Sequence, residues 1–185
     1  MERKINNQDG FTLIEILIAL VLIGVMAAIG VSVYTHVNST AATGGIVSNI
    51  QKFESVADQY ASMNSGTYTG MDAQALQSDA LLPNGWTVEG GGVEAVPPNT
   101  STVAGYFITT GALGTGNSAY DIGFSGTGNG VTDIMVHSIC LDFENKIDAF
   151  EYNGGVTTVT TGGTNCNVIP TDNKAITGAF WLGFE

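Results

Sequence analysis

The chain has 185 residues and a formal net charge of −12 at pH 7, from 17 acidic and 5 basic residues. So acidic a composition argues against binding nucleic acid by phosphate neutralisation, which needs clustered lysine and arginine. The length leaves room for one long helix and one compact domain, and makes two large domains unfavourable.

The N-terminal part is a short polar segment followed by a long apolar one. No charged residue occurs from Ile16 to Gln51, and the segment 11–34 reaches the ~20 residues that a helix needs to cross a bilayer. Glu15 is the exception within it. A carboxylate is costly to insert into hydrocarbon, so Glu15 is by default a functional residue whose partner must be named.

The residues before Glu15 indicate such a partner. The segment 1–10 ends in Gly10, a small residue at which a peptidase could cut, and cleavage would make Phe11 the new N-terminus. Its amine would lie ~6 Å from Glu15 along a helix. Pairing within one chain is poor, because helical side chains lean toward the N-terminus while the amine lies on the axis. Between neighbouring chains the same pairing could fix the axial register.

The motif Gly10-Phe11-Thr12-Leu13-Ile14-Glu15, followed by an apolar helix, resembles the N-terminal signal of type IV pilins and related pseudopilins. The resemblance implies that 1–10 is a prepilin leader peptide, removed by a membrane aspartic peptidase that cuts between Gly10 and Phe11. It also implies that Phe11 is N-methylated, and that Glu15 acts in assembly by docking a subunit into the growing filament.

Two other interpretations of these residues are open. An ordinary secretory signal peptide is cleaved after its apolar region, and 27–30 (Ala-Ala-Ile-Gly) could serve as such a cleavage site. Cleavage there would leave Glu15 inside the apolar segment without a purpose. Alternatively, Glu15 is only a carboxylate favoured near a helix N-terminus by the macrodipole. The cost of burial in hydrocarbon exceeds that gain, so the prepilin interpretation is favoured.

A long N-terminal helix is predicted over 11–62, with 11–34 as its transmembrane and filament-core part. Beyond the membrane segment, apolar residues recur at spacings of three and four and form one stripe that can pack on a sheet. The stripe consists of Ile46, Val47, Ile50, Phe53, Val56, Ala57 and Tyr60. Interior glycines weaken a helix, so the pair Gly44-Gly45 and the polar run before it predict bending or melting near 38–45.

Residues 63–102 are predicted to be a helix-to-sheet loop with a short helix over 72–82. Asp72 can cap this helix and the sequence Pro-Asn-Gly at 83–85 can end it. The glycines at 90–92 and the prolines at 97–98 indicate irregular chain. This loop resembles that of type IVb pilins, whereas the short leader and Phe11 resemble type IVa.

Residues 103–185 are predicted to form an antiparallel sheet and a C-terminal region. β-prone runs alternate with turn signals, and strands are expected at 103–110, 119–125, 131–141, 146–152 and 155–160. Asn153-Gly154 predicts a type I′ hairpin turn, and Glu144-Asn145 a further turn. The apolar segment 179–184 is expected to pack back on the core or to form a late strand.

Cys140 and Cys166 are the only cysteines, and an exported protein meets an oxidising compartment. Pairing them would close a loop worth roughly 3 to 3.5 kcal/mol in the chain-entropy model. The resemblance to pilins implies a bridge that brackets the C-terminal surface segment. Two unpaired buried thiols are the alternative, and no ligand spacing for zinc occurs.

The sequence offers little for catalysis, and we predict that the protein is not an enzyme and holds no cofactor or metal. His137 and Ser138 would be adjacent on a predicted strand and point to opposite faces, so they could not form a base and nucleophile pair. His36 is remote from any catalytic signature. The acidic residues of 142–148 lack the spacing of a known calcium loop and are expected to be a solvated turn. Trp86 and Trp181 are expected to pack in the core, with stacking on a sugar or partner as the alternative.

These observations predict an α+β pilin fold in a structural subunit of a type IV pilus, most simply the major pilin. Its expected partners are further copies in a helical filament, the prepilin peptidase and N-methyltransferase, and the inner-membrane assembly machinery. The precursor is expected in the inner membrane and the assembled protein in the extracellular filament. A type II secretion pseudopilin, a minor or tip adhesive pilin and a single-pass membrane enzyme are the alternatives.

Overall fold

The computed structural model describes residues 11–98, 103, 105–110, 119–125, 130–158, 165–172 and 174–184. The predicted leader 1–10 lies outside this part of the chain, as do portions of the predicted strands 103–110 and 155–160. The chain divides into two units, Met1–Ser39 and Thr40–Glu185.

The first unit is the N-terminal part of helix α1, which spans Leu13–Met63. Every residue from Phe11 to Val31 is exposed, and Leu13–Val31 is long and apolar enough to cross a membrane by length and composition. Because α1 is helical at every position of 38–45, the predicted melting there is wrong. Helix propagation is cooperative, and α1 continues on both sides of this weak stretch, which offsets the cost of its two glycines. The predicted bending stays a prediction.

The second unit begins with the rest of α1, whose predicted apolar stripe is largely confirmed. Ile46, Ile50 and Phe53 are at most 2% exposed, and Val56, Ala57 and Tyr60 are also buried. Val47, at the margin of the stripe, is only half-buried. This face of α1 therefore forms one side of the core.

The described strands form one antiparallel sheet of seven strands in the order β1-β2-β3-β4-β7-β5-β6. They are β1 (Thr87–Glu89), β2 (Glu94–Val96), β3 (Tyr106–Thr109), β4 (Tyr120–Ser125), β5 (Ile147–Tyr152), β6 (Gly155–Thr158) and β7 (Ala179–Phe184). The predicted α+β architecture, a long N-terminal helix with an antiparallel sheet, is thus confirmed. The segment 179–184 is indeed a strand, and it lies inside the sheet between β4 and β5.

The core packs aromatic rings between α1 and one face of the sheet. Phe53 of α1 meets Trp86 edge to face, with 5.0 Å between ring centroids, and Tyr106 of β3 at 5.7 Å. Across the sheet, Phe124 of β4 contacts Phe180 of β7 at 5.7 Å. Burial of such rings dominates the energetics of a core of this size.

The predicted strand over 131–141 is wrong, because this segment contains helix α3, Asp133–Phe143. The run is rich in β-branched residues, but its apolar positions follow a helical period. The residues that α3 buries are Met135, Val136, Ile139, Cys140 and Phe143. Tertiary packing of this face overrides the local strand propensity. The predicted turn at Glu144-Asn145 consequently connects α3 to β5 rather than two strands.

The segment expected to be a loop contains two short strands besides its helix. Helix α2 spans Ala73–Ser78, and the Asp72 carboxylate caps it by accepting a hydrogen bond from the Ala75 N–H at 2.7 Å. It ends before the predicted boundary at 82. β1 and β2 flank the glycines at 90–92, all with positive φ, which only glycine adopts readily. The irregular chain expected there is therefore the turn of a hairpin.

Asn153-Gly154 connects β5 to β6 as the sequence predicts. Both residues have positive φ, 50° and 84°, as a type I′ turn requires at its two central positions. The flanking residues Tyr152 and Gly155 pair directly across the hairpin.

Candidate functional site

The N-terminus of α1 carries a reciprocal cap formed by Thr12 and Glu15. The backbone N–H and the hydroxyl of Thr12 each donate a hydrogen bond to Oε2 of Glu15, both at 2.8 Å. In return the Glu15 N–H donates to Oγ1 of Thr12 at 3.4 Å. This arrangement is a capping box, in which the residue before the helix and the third residue inside it satisfy each other's amides.

The cap gives Glu15 a polar partner inside its own chain, Thr12. By composition alone, Thr12 is one of the few polar residues within the apolar segment 11–34. The spacing Thr-x-x-Glu ahead of an apolar run is the recognised signature of this cap and was readable in the sequence.

The surroundings of the capped carboxylate are apolar and uncovered. Phe11 is 84% exposed and Leu13 83%, and every described side chain of the next five helical turns to Val31 is exposed as well. A helix that is apolar on all sides requires lipid or other helices around it. Of the sequence-predicted processing residues, Phe11 lies at this exposed end, while Gly10 is outside the described residues.

Residues 5–31 match the family model of the prokaryotic N-terminal methylation motif. Together with the apolar helix, this match fits a type IV pilin-like prepilin signal. The motif implies processing by a prepilin peptidase and assembly in a pilus-type system, and it indicates membrane anchoring of the precursor. No curated protein and no solved structure matches the chain.

The predicted pairing of Cys140 and Cys166 is confirmed. Their disulfide joins α3 to a 3₁₀ helix, Asn165–Val168, with 5.8 Å between the Cα atoms. Both cysteines are fully buried, so the alternative of two unpaired thiols is wrong. His137 strengthens the same junction, because its Nδ1 lies 3.0 Å from the carbonyl oxygen of Cys166.

His137 and Ser138 do not form a catalytic pair, although the reason differs from the one given by the sequence. Both lie on α3, where adjacent residues point ~100° apart and do not face each other. The Ser138 hydroxyl donates to the carbonyl of Ile134 at 3.0 Å, one turn earlier. The prepilin motif and the α+β fold indicate a structural protein.

The remaining candidates divide between core and surface. Trp86 packs in the core, as predicted, whereas Trp181 is only half-buried and lies on the opposite face of the sheet from its neighbour Phe180. Within the described part of the chain, no three histidine, cysteine or acidic residues are grouped so as to hold a metal ion. Next to the acidic turn, Lys146 pairs with Glu54 of α1 at 2.9 Å.

Tyr106, Tyr120 and Tyr152, all in the unit Thr40–Glu185, have strongly raised pKa values, and desolvation by burial is the largest cause for each. Burial raises the pKa of Tyr106 to about 12, against a smaller opposing effect of its hydrogen bond from Asn49. Desolvation also raises the pKa of Tyr152 to about 12, assisted by the hydrogen bond that its hydroxyl donates to Asp133 at 2.6 Å. Both hydroxyls therefore stay protonated at neutral pH, which suits structural hydrogen bonds rather than acid and base chemistry.

Proposed function

We propose that this protein is a structural subunit of a type IV pilus, most simply the major pilin, and not an enzyme. The observation that carries the proposal is a capped carboxylate, Glu15, at the start of an exposed apolar helix within a methylation motif. A compact, disulfide-bonded sheet domain on the same chain supplies a body for the filament surface.

The first step is processing of the precursor. A prepilin peptidase removes 1–10 by cutting between Gly10 and Phe11, and the new amine of Phe11 is then N-methylated. Until that cut, the amide between these residues is neutral, so no positive charge exists near Glu15 in the N-terminal part of α1. Processing therefore creates the cation that the carboxylate requires.

The second step is docking in the membrane. The Glu15 carboxylate of an incoming subunit receives the Phe11 amine of a neighbour, and this charge pair fixes the axial register of the two helices. Before docking, the two hydrogen bonds from Thr12 satisfy the carboxylate within its own chain, which lowers the cost of holding it in an apolar environment. Exchange of these bonds for a charge pair with a neighbour favours the assembled state.

The third step is bundling of the apolar segments. Outside the membrane, the exposed side chains of 11–31 would face water, and each valine, leucine, isoleucine, methionine or phenylalanine among them is worth roughly 1.5 to 3 kcal/mol when buried. Packing against the same segments of other copies removes that exposure. The filament core is then a bundle of α1 helices, and the sheet domains form its extracellular surface.

The test compares Glu15→Gln with wild type in the native host. The amide keeps the acceptor oxygen for Thr12 and loses the charge, so we expect a processed, membrane-resident protein that fails to enter fibres. Val47→Gln, an uncharged change at a half-buried position of the same helix, is the control for general damage. Normal amounts of fibre with Glu15→Gln would remove this residue from the mechanism.

Mass spectrometry of sheared fibres tests the rest of the proposal. We expect this chain to be their most abundant component, and its N-terminal peptide to begin at N-methylated Phe11. A rare or absent chain would instead indicate a minor pilin or a pseudopilin of a type II secretion system, which share the methylation motif. A different N-terminus would contradict the proposed processing.

A further inference from the structure

One row of residues crosses the sheet on the side away from the core. The strand register places its members directly opposite one another from β1 to β5: Glu89, Glu94, Phe107, Gly123, Trp181 and Glu151. Their chain neighbours Tyr106, Phe124, Phe180 and Phe150 are buried in the core. Because side chains alternate along a strand, these six residues share the opposite face, and we call them the outer row.

The centre of the outer row is a flat aromatic surface. A Cβ atom at Gly123 would overlap Cδ2, Cε2 and Cε3 of Trp181. These three atoms lie at the bond that the two rings of the indole share. A single atom can be close to all three only from above or below the ring plane, so one face of Trp181 covers Gly123. Its other face points away from the sheet. The ring of Phe107 lies beside it, with 5.8 Å between centroids and 35° between planes, and both side chains are partly exposed.

Carboxylates flank this aromatic surface on both sides. Glu151 is directly opposite Trp181, Glu94 is directly opposite Phe107, and Glu89 is directly opposite Glu94. Like charges facing each other across strands destabilise a sheet, so the stability of the fold does not explain this placement. Among the residues that the structure describes, none donates a hydrogen bond to these three carboxylates, and none forms a salt bridge with them.

We propose that the outer row is a docking surface for a basic segment of a partner protein. One arginine or lysine of the partner stacks on the exposed face of Trp181 and pairs with Glu151, and a second lies over Phe107 and pairs with Glu94. An aromatic face attracts a cation within ~6 Å, and an adjacent carboxylate adds a charge-assisted hydrogen bond. This inference concerns the sheet domain alone and does not depend on the proposed filament.

Charge and spacing define the partner. A second copy is unsuited, because Lys52, Lys146 and Lys174 are the only cationic side chains after the leader and are scattered in a chain of net charge −12. The rings of Trp181 and Phe107 are closer together than their strands, with 5.8 Å between centroids. An extended segment presents every second side chain on one side, at intervals of ~6.6 Å. An extended segment with a basic residue at every second position therefore fits the outer row.

The experiment titrates the full-length protein, in micelles of a sugar-free non-ionic detergent, with the peptide acetyl-(Arg-Thr)4-amide, which places an arginine at every second position. The chain has two tryptophans, so the indole N–H signals report separately on Trp181 and on the buried Trp86. A peptide with citrulline in place of arginine has the same shape without the charge. Glu151→Gln is compared with Asp142→Asn, which removes one negative charge from an exposed position on α3.

We expect saturable shifts of the Trp181 signal and none of the Trp86 signal with the arginine peptide. Glu151→Gln should weaken binding about five- to tenfold, as for the loss of one charge-assisted contact, while Asp142→Asn changes it less than about twofold. Equal weakening in the two variants would mean diffuse electrostatic attraction and would overturn the proposal. Equal binding of the citrulline peptide, or no binding of either peptide, would overturn it as well. Shifts of Trp181 with maltohexaose but not with the arginine peptide would replace it by a carbohydrate site.

Discussion

Removing the disulfide between Cys140 and Cys166 should greatly lower the stability of the unit Thr40–Glu185. The bond links residues 26 apart in sequence, and the chain-entropy model gives a loop of this length about 3.5 kcal/mol. For a domain of ~150 residues, the corresponding fall in melting temperature is about 11 °C. Replacing both cysteines by alanine removes the link without placing an unpaired polar group in the buried site.

Guanidinium unfolding of the full chain in non-ionic micelles, followed by tryptophan fluorescence, measures this loss. Ser138→Ala, at a half-buried position of the same helix, is the control and should change the free energy of unfolding by less than about 0.5 kcal/mol. A loss below about 1 kcal/mol for the double variant would refute the reasoning. It would mean that the unfolded chain already holds α3 and the 3₁₀ helix together without the bond.

Three further predictions concern the cap, the sheet and alkaline pH. Thr12→Ala removes the hydroxyl of the cap, whereas the control Thr12→Ser keeps it. The first backbone amides of α1 should therefore exchange hydrogen about fivefold faster in Thr12→Ala than in Thr12→Ser, and equal rates would show that the cap does not stabilise the helix end. Gly123→Ala must displace the indole of Trp181, and we expect a loss of about 1 to 3 kcal/mol with red-shifted emission, whereas Gly44→Ala, with open space around it, should not destabilise. The pKa of tyrosine is near 10 in the unfolded chain, whereas the fold raises the pKa of Tyr106 to about 12. Above pH 10 the unfolded state therefore binds fewer protons than the folded state, and the free energy of unfolding falls as the pH rises from 10 to about 12. Tyr106→Phe should make that fall shallower in urea titrations, and an unchanged slope would contradict the assignment.

Features encoded by neighbouring residues were predictable from the sequence. The hairpin at Asn153-Gly154 follows from two residues that tolerate positive φ, and the cap of α2 follows from Asp72 ahead of a short helical run. The apolar stripe of α1 follows from its spacing alone. The motif around Glu15 was equally local, which is why sequence reasoning and the family model agree on it.

Features decided by distant contacts were not predictable in the same way. The segment 131–141 has strand-like composition, and it is α3 because its apolar side chains face the core beside β7, where Phe143 meets Phe184 with 5.8 Å between ring centroids. β1 and β2 have three residues each, too few for a period to be visible. Trp181 lies on the outer face because of its register against β4 and β5, and no local pattern specifies which strands become neighbours.

The position of β7 has a consequence for export. β7 follows the other strands in the chain, yet it lies between β4 and β5 and supplies the only pairing that joins β1–β4 to β5–β6 among the described strands. A polypeptide threaded across a membrane from its N-terminus would deliver both half-sheets first, each with an open edge and an uncovered aromatic side. On the proposed route of export, this order of delivery leaves the sheet unclosed until 179–184 has emerged.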